Sequence, residues 1–368
     1  MYPGQYALTN PDRPAFIMAG SGLTVSYAQF EARSNQLAHF LRSQDLQFQD
    51  HYSIFMENNE RYMESCAAGE RAGLYYTCIN SYLTGDELAY IVNNSESKVL
   101  ITSKSKIDVV VDALASCPNI QMVLVTDGGD VDLPKGMMDF AAAVEVCSTA
   151  PLAEEFLGTS MLYSSGTTGQ PKGIIRPLPK QPPSEPLPIF QFLGALWGYR
   201  EDMIYLSPAP LYHSAPQAAV SLTLRIGGTV VIMERFDPLE YLDLIERYQI
   251  SHTQLVPTMF SRMLKLTEAE RTRADLSSLE IAVHAAAPCP VMVKQQMIEW
   301  WGPIIHEYYG ATEGLGFAAC NSQEWLAHQG TVGKVVLGDL TILDDEMQPL
   351  PNGEPGTLWS VSYTHLRA

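Results

Sequence analysis

The chain has 368 residues, 46% of them apolar and 17% charged, with a formal charge of −18. That length and balance suit a globular protein of about two to three lobes and exclude a disordered chain or a single small module. The acids are spread along the chain instead of forming a tail, which argues against a nucleic-acid partner. Any nucleotide site would have to build its own local positive field from loop amides, a lysine and a metal ion.

The N-terminus, with Pro3, Asp12 and Arg13, lacks the basic-then-apolar layout of a signal peptide, and no stretch approaches the roughly 18 apolar residues of a membrane span. The expectation is a cytoplasmic protein with no transmembrane segment. Cys66, Cys78, Cys117, Cys147, Cys289 and Cys320 show no C-x-x-C pair and read as reduced, mostly buried thiols.

In chain order, Ser26 with Gln29 forms a capping-box pattern before Phe30, Leu37, Ala38 and Leu41, which fall on one helical face. Tyr52 to Met56 reads as a short buried strand. Thr84 with Glu87 caps a helix through Ile91, Lys98 to Thr102 is a strand, Asp108 to Ala115 is helical and Met122 to Thr126 is another strand. Strands separated by helices predict an α/β fold with a layered, mostly parallel sheet. Asp127-Gly-Gly-Asp130 reads as a surface turn. A strand at Met161 to Tyr163 leads into a Gly/Thr-rich loop, and Pro177, Pro179, Pro182, Pro183, Pro186 and Pro188 exclude a helix after it. Helical and strand signals resume near Phe190, with a Gly227-Gly228 turn, a strand at Thr229 to Met233 and a helix through Leu239 to Tyr248. The predicted division is a first α/β lobe at 1–160, a phosphate loop and Pro-rich segment at 161–189, and a second α/β lobe at 190–359.

The loop carries the strongest chemical signal. Ser164, Ser165, Gly166, Thr167, Thr168, Gly169 and Lys172 supply what a polyphosphate needs: glycines that let backbone amides approach, hydroxyl donors and one point charge. It is not a Walker A loop, which requires G-x4-G-K-[ST], because Pro171 precedes Lys172 and Gly173 follows it. The competing reading is a flexible linker.

The run Tyr163-Ser-Ser-Gly-Thr-Thr-Gly-Gln-Pro-Lys172-Gly173 resembles the signature Y-[ST]-S-G-T-T-G-x-P-K-G of the adenylate-forming superfamily, which includes acyl-CoA synthetases, acyl-adenylating peptide-synthetase domains and luciferases. Further resemblances follow in the expected order: Ser207-Pro-Ala-Pro-Leu-Tyr-His213, Val256-Pro257-Thr258, His284-Ala-Ala-Ala-Pro288, Tyr309-Gly-Ala-Thr-Glu313 and Gly330-Thr-Val-Gly333. Phe55-Met-Glu-Asn-Asn59 and Tyr75 to Thr84 look like the fatty-acyl branch. Similarity of this kind covers most of residues 1 to about 358 and implies the large N-terminal domain of that fold, two α/β subdomains with mixed, mostly parallel sheets, over 1–359.

The resemblance implies roles. Tyr309 would stack on adenine, beside Ala286, Ala287 and Pro288; Thr312 would bond the α-phosphate; Glu313 would hold Mg2+, whose hard charge prefers a carboxylate oxygen. Without the resemblance, Tyr308-Tyr309 would read as core aromatics. Ala285 and Gly310 would line an acyl pocket, with alanines standing where the family usually has glycines. His213 would orient the acyl carboxylate instead of transferring protons, its competing reading being a half-buried, hydrogen-bonded histidine. His252, His284, His306 and His328 lack metal-ligand spacing and read as structural, with no zinc site expected. Lys172, Thr312, Glu313 and His213 are thus the expected catalytic residues, and ATP, Mg2+ and coenzyme A the expected cofactor and co-substrates.

The implied reaction is attack of a substrate carboxylate on the α-phosphorus of ATP, giving acyl-adenylate and pyrophosphate, then transfer of the acyl group to coenzyme A. A fatty acid or bulkier hydrophobic acid is the expected small-molecule partner, ahead of aryl and amino acids; Asp237 is an ambiguous candidate for holding an amino-acid ammonium. Oligomeric state is not legible. Family members continue beyond Gly353-Glu-Pro-Gly356 to a ribose-gripping aspartate, a hinge and a small C-terminal domain with a catalytic lysine. Here the sequence runs instead to Trp359-Ser-Val-Ser-Tyr-Thr-His-Leu-Arg-Ala368. The expectation is that 360–368 is a non-native tail on a shortened chain with impaired activity. The alternatives are a non-catalytic ATP- or AMP-binding fragment and, third, a kinase or ATPase.

Overall fold

The computed structural model describes residues 2–164, 170–185, 187–312, 314 and 316–361. The contacts divide the chain into two compact units, one through Arg235 and the other from Phe236.

The first unit holds a six-stranded, wholly parallel sheet in the order Met137–Asp139, Met122–Thr126, Val99–Ser103, His51–Phe55, Tyr75–Cys78, Thr159–Ser160. Its central strands are buried along nearly every residue, as parallel strands covered on both faces must be. From the central His51–Phe55 the chain adds Tyr75–Cys78 on one side and then Val99–Ser103 on the other. Ligand crevices of parallel sheets form beyond the carboxyl ends of strands at such a reversal.

The helices start where local chemistry dictates. Both expected capping boxes form, Ser26 with Gln29 on Tyr27–Ser43 and Thr84 with Glu87 on Gly85–Asn94. The helix Pro188–Leu196 begins on the last proline of the Pro-rich run. A proline is tolerated in the first helical turn because its missing N–H has no intrahelical partner to lose.

A second sheet in this unit pairs Pro14–Met18 in parallel with Thr229–Ile232, which pairs in parallel with Ile204–Ser207; Thr24–Ser26 adds an antiparallel edge. Strands from either side of residue 160 therefore share one sheet. Buried Tyr27 ties this arrangement, its hydroxyl donating to the carbonyls of Gly228 at 2.7 Å and Leu224 at 3.0 Å.

The second unit is a mixed sheet. His252–Leu255, Ile281–His284 and Ile305–Gly310 are parallel neighbours, and Phe317–Cys320 and Lys334–Leu337 continue antiparallel. Asp339–Leu343 and Thr357–Val361 form a separate antiparallel pair, with Ser360 opposite Leu340, so the expected junction at 359/360 falls inside a strand. Among the described residues no helix is long and apolar enough to cross a membrane.

Candidate active site

In the first unit the parallel sheet hands the chain from its edge strand Thr159–Ser160 into a small hairpin, Leu162–Ser164 paired antiparallel with Lys172–Ile174. This hairpin forms the two stems of the signature loop. Its register sets Gly173 opposite Tyr163 and Lys172 opposite Ser164. The Tyr163 ring lies over Gly173: a Cβ there would come within 3.0 Å of the tyrosine Cζ and 3.1 Å of its oxygen. Met161 Cε would be nearer still, so the glycine at this end of the motif is a packing requirement of Met161 and of the tyrosine at the other end together. Burial, and then neighbouring Tyr90, push the Tyr163 hydroxyl pKa up, so it remains a proton donor. Lys172 is exposed at the root of the loop. Ser165, Gly166, Thr167, Thr168 and Gly169 lie outside the described residues, as does the side chain of Ser164.

His213 sits at the N-cap of the helix Ser214–Arg225, its N–H donating to the Pro210 carbonyl at 3.2 Å. The ring reaches the surface, but surrounding protein, with Tyr212 at 4.4 Å between ring centroids, lowers its pKa through lost solvation. The turn before it is held by buried Asn58. That amide donates to Met233 O at 2.8 Å and Ala209 O at 3.1 Å and accepts from Leu211 N–H at 2.8 Å. Asn58 lies in the Phe55 to Asn59 segment, but its role was invisible in the sequence because its partners are more than 150 residues away.

In the second unit, strand alternation separates the tyrosine pair. Tyr308 turns inward, stacked on Phe317 with centroids 4.7 Å apart and its hydroxyl accepting from Gln254 at 2.9 Å, while Tyr309 is 47% exposed. An exposed aromatic face can bind a planar ring, which a core tyrosine cannot. Gly310 pairs with Phe317, Thr312 follows in a half-buried turn, and Glu313 lies outside the described residues.

The segment after Ile281–His284 leaves Ala285 buried and Ala286, Ala287 and Pro288 exposed. Ala286 has φ of 76°, in the left-handed region that favours glycine. Gly333, at φ of 104°, is a position only glycine can occupy, since a Cβ would run into the Ala319 backbone. Asp237 caps the helix Pro238–Tyr248, accepting from the N–H groups of Leu239 and Glu240 at 3.0 Å each. Its carboxylate therefore already has a structural task.

The second unit also holds a buried ionic cluster. Lys294 and His284 are fully buried and Glu307 nearly so; Lys294 Nζ donates to Glu307 Oε2 at 2.5 Å, and His284 Nε2 stands 3.4 Å from the same oxygen. Burial, reinforced by Lys294, pushes the His284 pKa down to about 3, so the imidazole is neutral. His284 and Glu307 are also partners in the parallel register. The sequence did carry a signal: Lys294 interrupts the apolar face formed by Met297 and Ile298 on Val291–Trp301.

The profile of AMP-binding enzymes matches residues 5–366 of the sequence. The chain belongs to the AMP-binding enzyme family. Relatives within it include acyl- and aryl-CoA ligases. Among relatives, this AMP-binding chain is 26% identical over 359 residues to a medium/long-chain-fatty-acid–CoA/3-oxocholest-4-en-26-oate–CoA ligase of Mycolicibacterium smegmatis, covering 91% of this chain and 64% of that protein. It is also 26% identical to 4-coumarate–CoA ligase 1 of Petroselinum crispum, covering 94% and 64% respectively. The amide bond synthetase McbA of Marinactinospora thermotolerans shares the fold, with a TM-score of 0.80 at 24% identity over 98% of this chain and 70% of that one. The AMP-binding chain thus spans about two thirds of the length of these relatives.

Proposed function

We propose that the protein activates a hydrophobic carboxylic acid with ATP, forming an acyl-adenylate and releasing pyrophosphate. A carboxylate oxygen attacks the α-phosphorus, and the bond from that phosphorus to the bridging oxygen breaks, the electron pair leaving with pyrophosphate. Two anions must meet, so catalysis is mostly positioning and charge neutralisation. Lys172 and the hydroxyls of Ser164, Ser165, Thr167 and Thr168, with the amides of Gly166 and Gly169, are the proposed ligands of the departing phosphates. Tyr309 with Ala286, Ala287 and Pro288 is the proposed adenine platform, Thr312 the α-phosphate donor, and His213, Ala285 and Gly310 the proposed acyl side. Glu313 would offer the carboxylate oxygen that a hard cation such as Mg2+ favours, and the bound ion would supply positive charge to the phosphates of ATP.

The observation that carries this reading is the hairpin in which Tyr163 covers Gly173 and leaves Lys172 exposed at the loop root. It accounts for the ends of the signature as a scaffold and leaves the hydroxyls, glycines and lysine between them for phosphate. Transfer of the acyl group to coenzyme A is proposed for the whole protein. The acid is proposed only as hydrophobic, since the relatives named above include a fatty- and steroid-acid ligase and a 4-coumarate ligase at equal identity. Asp237, engaged as a helix cap, gives no support to an amino-acid substrate.

Exchange of labelled pyrophosphate into ATP, measured with fatty, steroid and aryl acids, tests the proposal. Acid-dependent exchange supports it, and ATP binding without exchange from any acid favours the non-catalytic reading.

A further inference from the structure

Both stems of the signature hairpin are tied to one helix. The Tyr163 hydroxyl, on the incoming stem, donates to Asn94 Oδ1 at 2.6 Å, and the Tyr90 hydroxyl donates to the carbonyl of Pro171, at the start of the outgoing stem, at 3.0 Å. Tyr90 and Asn94 are four residues apart on Gly85–Asn94, one turn above each other on the same face. The opposite face of this helix is anchored by buried Leu88, Ala89, Ile91 and Val92, and its start is fixed by the Thr84–Glu87 capping box. A third bond, from the Tyr75 hydroxyl to the Arg176 carbonyl at 2.7 Å, holds the outgoing stem farther along.

We infer that Tyr90 and Asn94 are positioning residues that brace the two stems of the phosphate hairpin and thereby set Lys172 for the terminal phosphates of ATP. A two-stranded hairpin is marginal by itself, and this one has three residues on each side. Buried Leu162 and Ile174 anchor the body of the hairpin; without the polar ties the loop ends of the stems would gain freedom, and Lys172 would spend binding energy on being ordered. Tyr90 and Asn94 need not touch the nucleotide. They act through Pro171 and Tyr163, the residues that flank the loop.

The inference rests on the proposed ATP reading and has a signature that general destabilisation lacks. A brace on the terminal-phosphate clamp should matter for ATP and not for AMP, which has no β- or γ-phosphate. Calorimetric titration of the chain with ATP and with AMP, for wild type, Tyr90→Phe/Asn94→Ala, Lys172→Ala and the triple variant, reads this directly. The brace variant should bind ATP roughly tenfold more weakly, the scale of about one net hydrogen bond, with AMP affinity within about twofold. Lys172→Ala should weaken ATP binding much less in the braceless background than in wild type. Equal loss of ATP and AMP affinity, or an unchanged ATP-to-AMP ratio, overturns the brace while leaving the function standing. Failure of the wild type to bind ATP removes the functional reading and the brace with it.

Discussion

Lys294 donates to Glu307 across 2.5 Å inside the second unit, and Glu307 lies two residues before the exposed Tyr309 on the same strand. A buried pair of this kind contributes little net stability relative to apolar substitutes, but breaking it leaves an uncompensated charge. Lys294→Met should therefore destabilise the protein by about 3–5 kcal/mol, and Lys294→Met/Glu307→Leu should recover most of that loss. Urea denaturation of the two singles and the double measures the coupling. Additive losses would show that the pair is not a unit.

His284 makes the same cluster sensitive to acid. Its folded pKa, about 3, lies below the ordinary imidazole value, so the unfolded chain binds a proton that the folded chain refuses. The associated stability is fully present above about pH 6.5 and is lost as the pH falls toward 3. Glu307 and Lys294 face the imidazole, and the Phe260 ring packs edge-on with centroids 5.4 Å apart. Between pH 7 and 4.5 this group should remove roughly 2–3 kcal/mol. In His284→Asn the urea midpoint should vary less over that range; identical pH slopes in the two proteins would contradict the assignment.

Ala286 occupies left-handed backbone at φ of 76°. Glycine relieves about 1–2 kcal/mol of steric cost there but loses roughly 0.5–1 kcal/mol through unfolded-state entropy. Ala286→Gly should thus stabilise by about 0.5–1 kcal/mol, whereas Ala287→Gly should destabilise by about as much. Thermal melts of the two variants should shift in opposite directions, and shifts of the same sign would refute the backbone argument.

Asn58 satisfies two buried carbonyls and one buried N–H ahead of His213. Asn58→Leu keeps approximate size but strands all three groups, with an expected cost of about 2–4 kcal/mol. Chemical denaturation checks the magnitude. A loss below about 1 kcal/mol would mean that water or a shifted backbone replaces the amide.

What was legible in the sequence was local. The Ser26–Gln29 and Thr84–Glu87 boxes depend on neighbours three residues apart, and both helices begin as expected. The strand Met122–Thr126 carries its own apolar run and matches residue for residue. Long-range pairing was not legible: nothing around Pro14 announces that its strand lies beside Thr229–Ile232. The same holds at the candidate site. The loop was recognisable because its chemistry is contiguous, whereas Tyr90 meets Pro171 across 81 positions, and Asn58 reaches Ala209 across 151. Tyr308 and Tyr309 could be assigned to opposite faces only once a strand placed them there.

The central claim is that ATP is cleaved between its α- and β-phosphates by a carboxylic acid. Chromatography of the nucleotide products, with ATP, magnesium and a panel of fatty, steroid and aryl acids, tests it most directly. The account predicts AMP and pyrophosphate in equal amounts, formed only when an acid is present and lost in Lys172→Ala; accumulation of ADP and inorganic phosphate would contradict it.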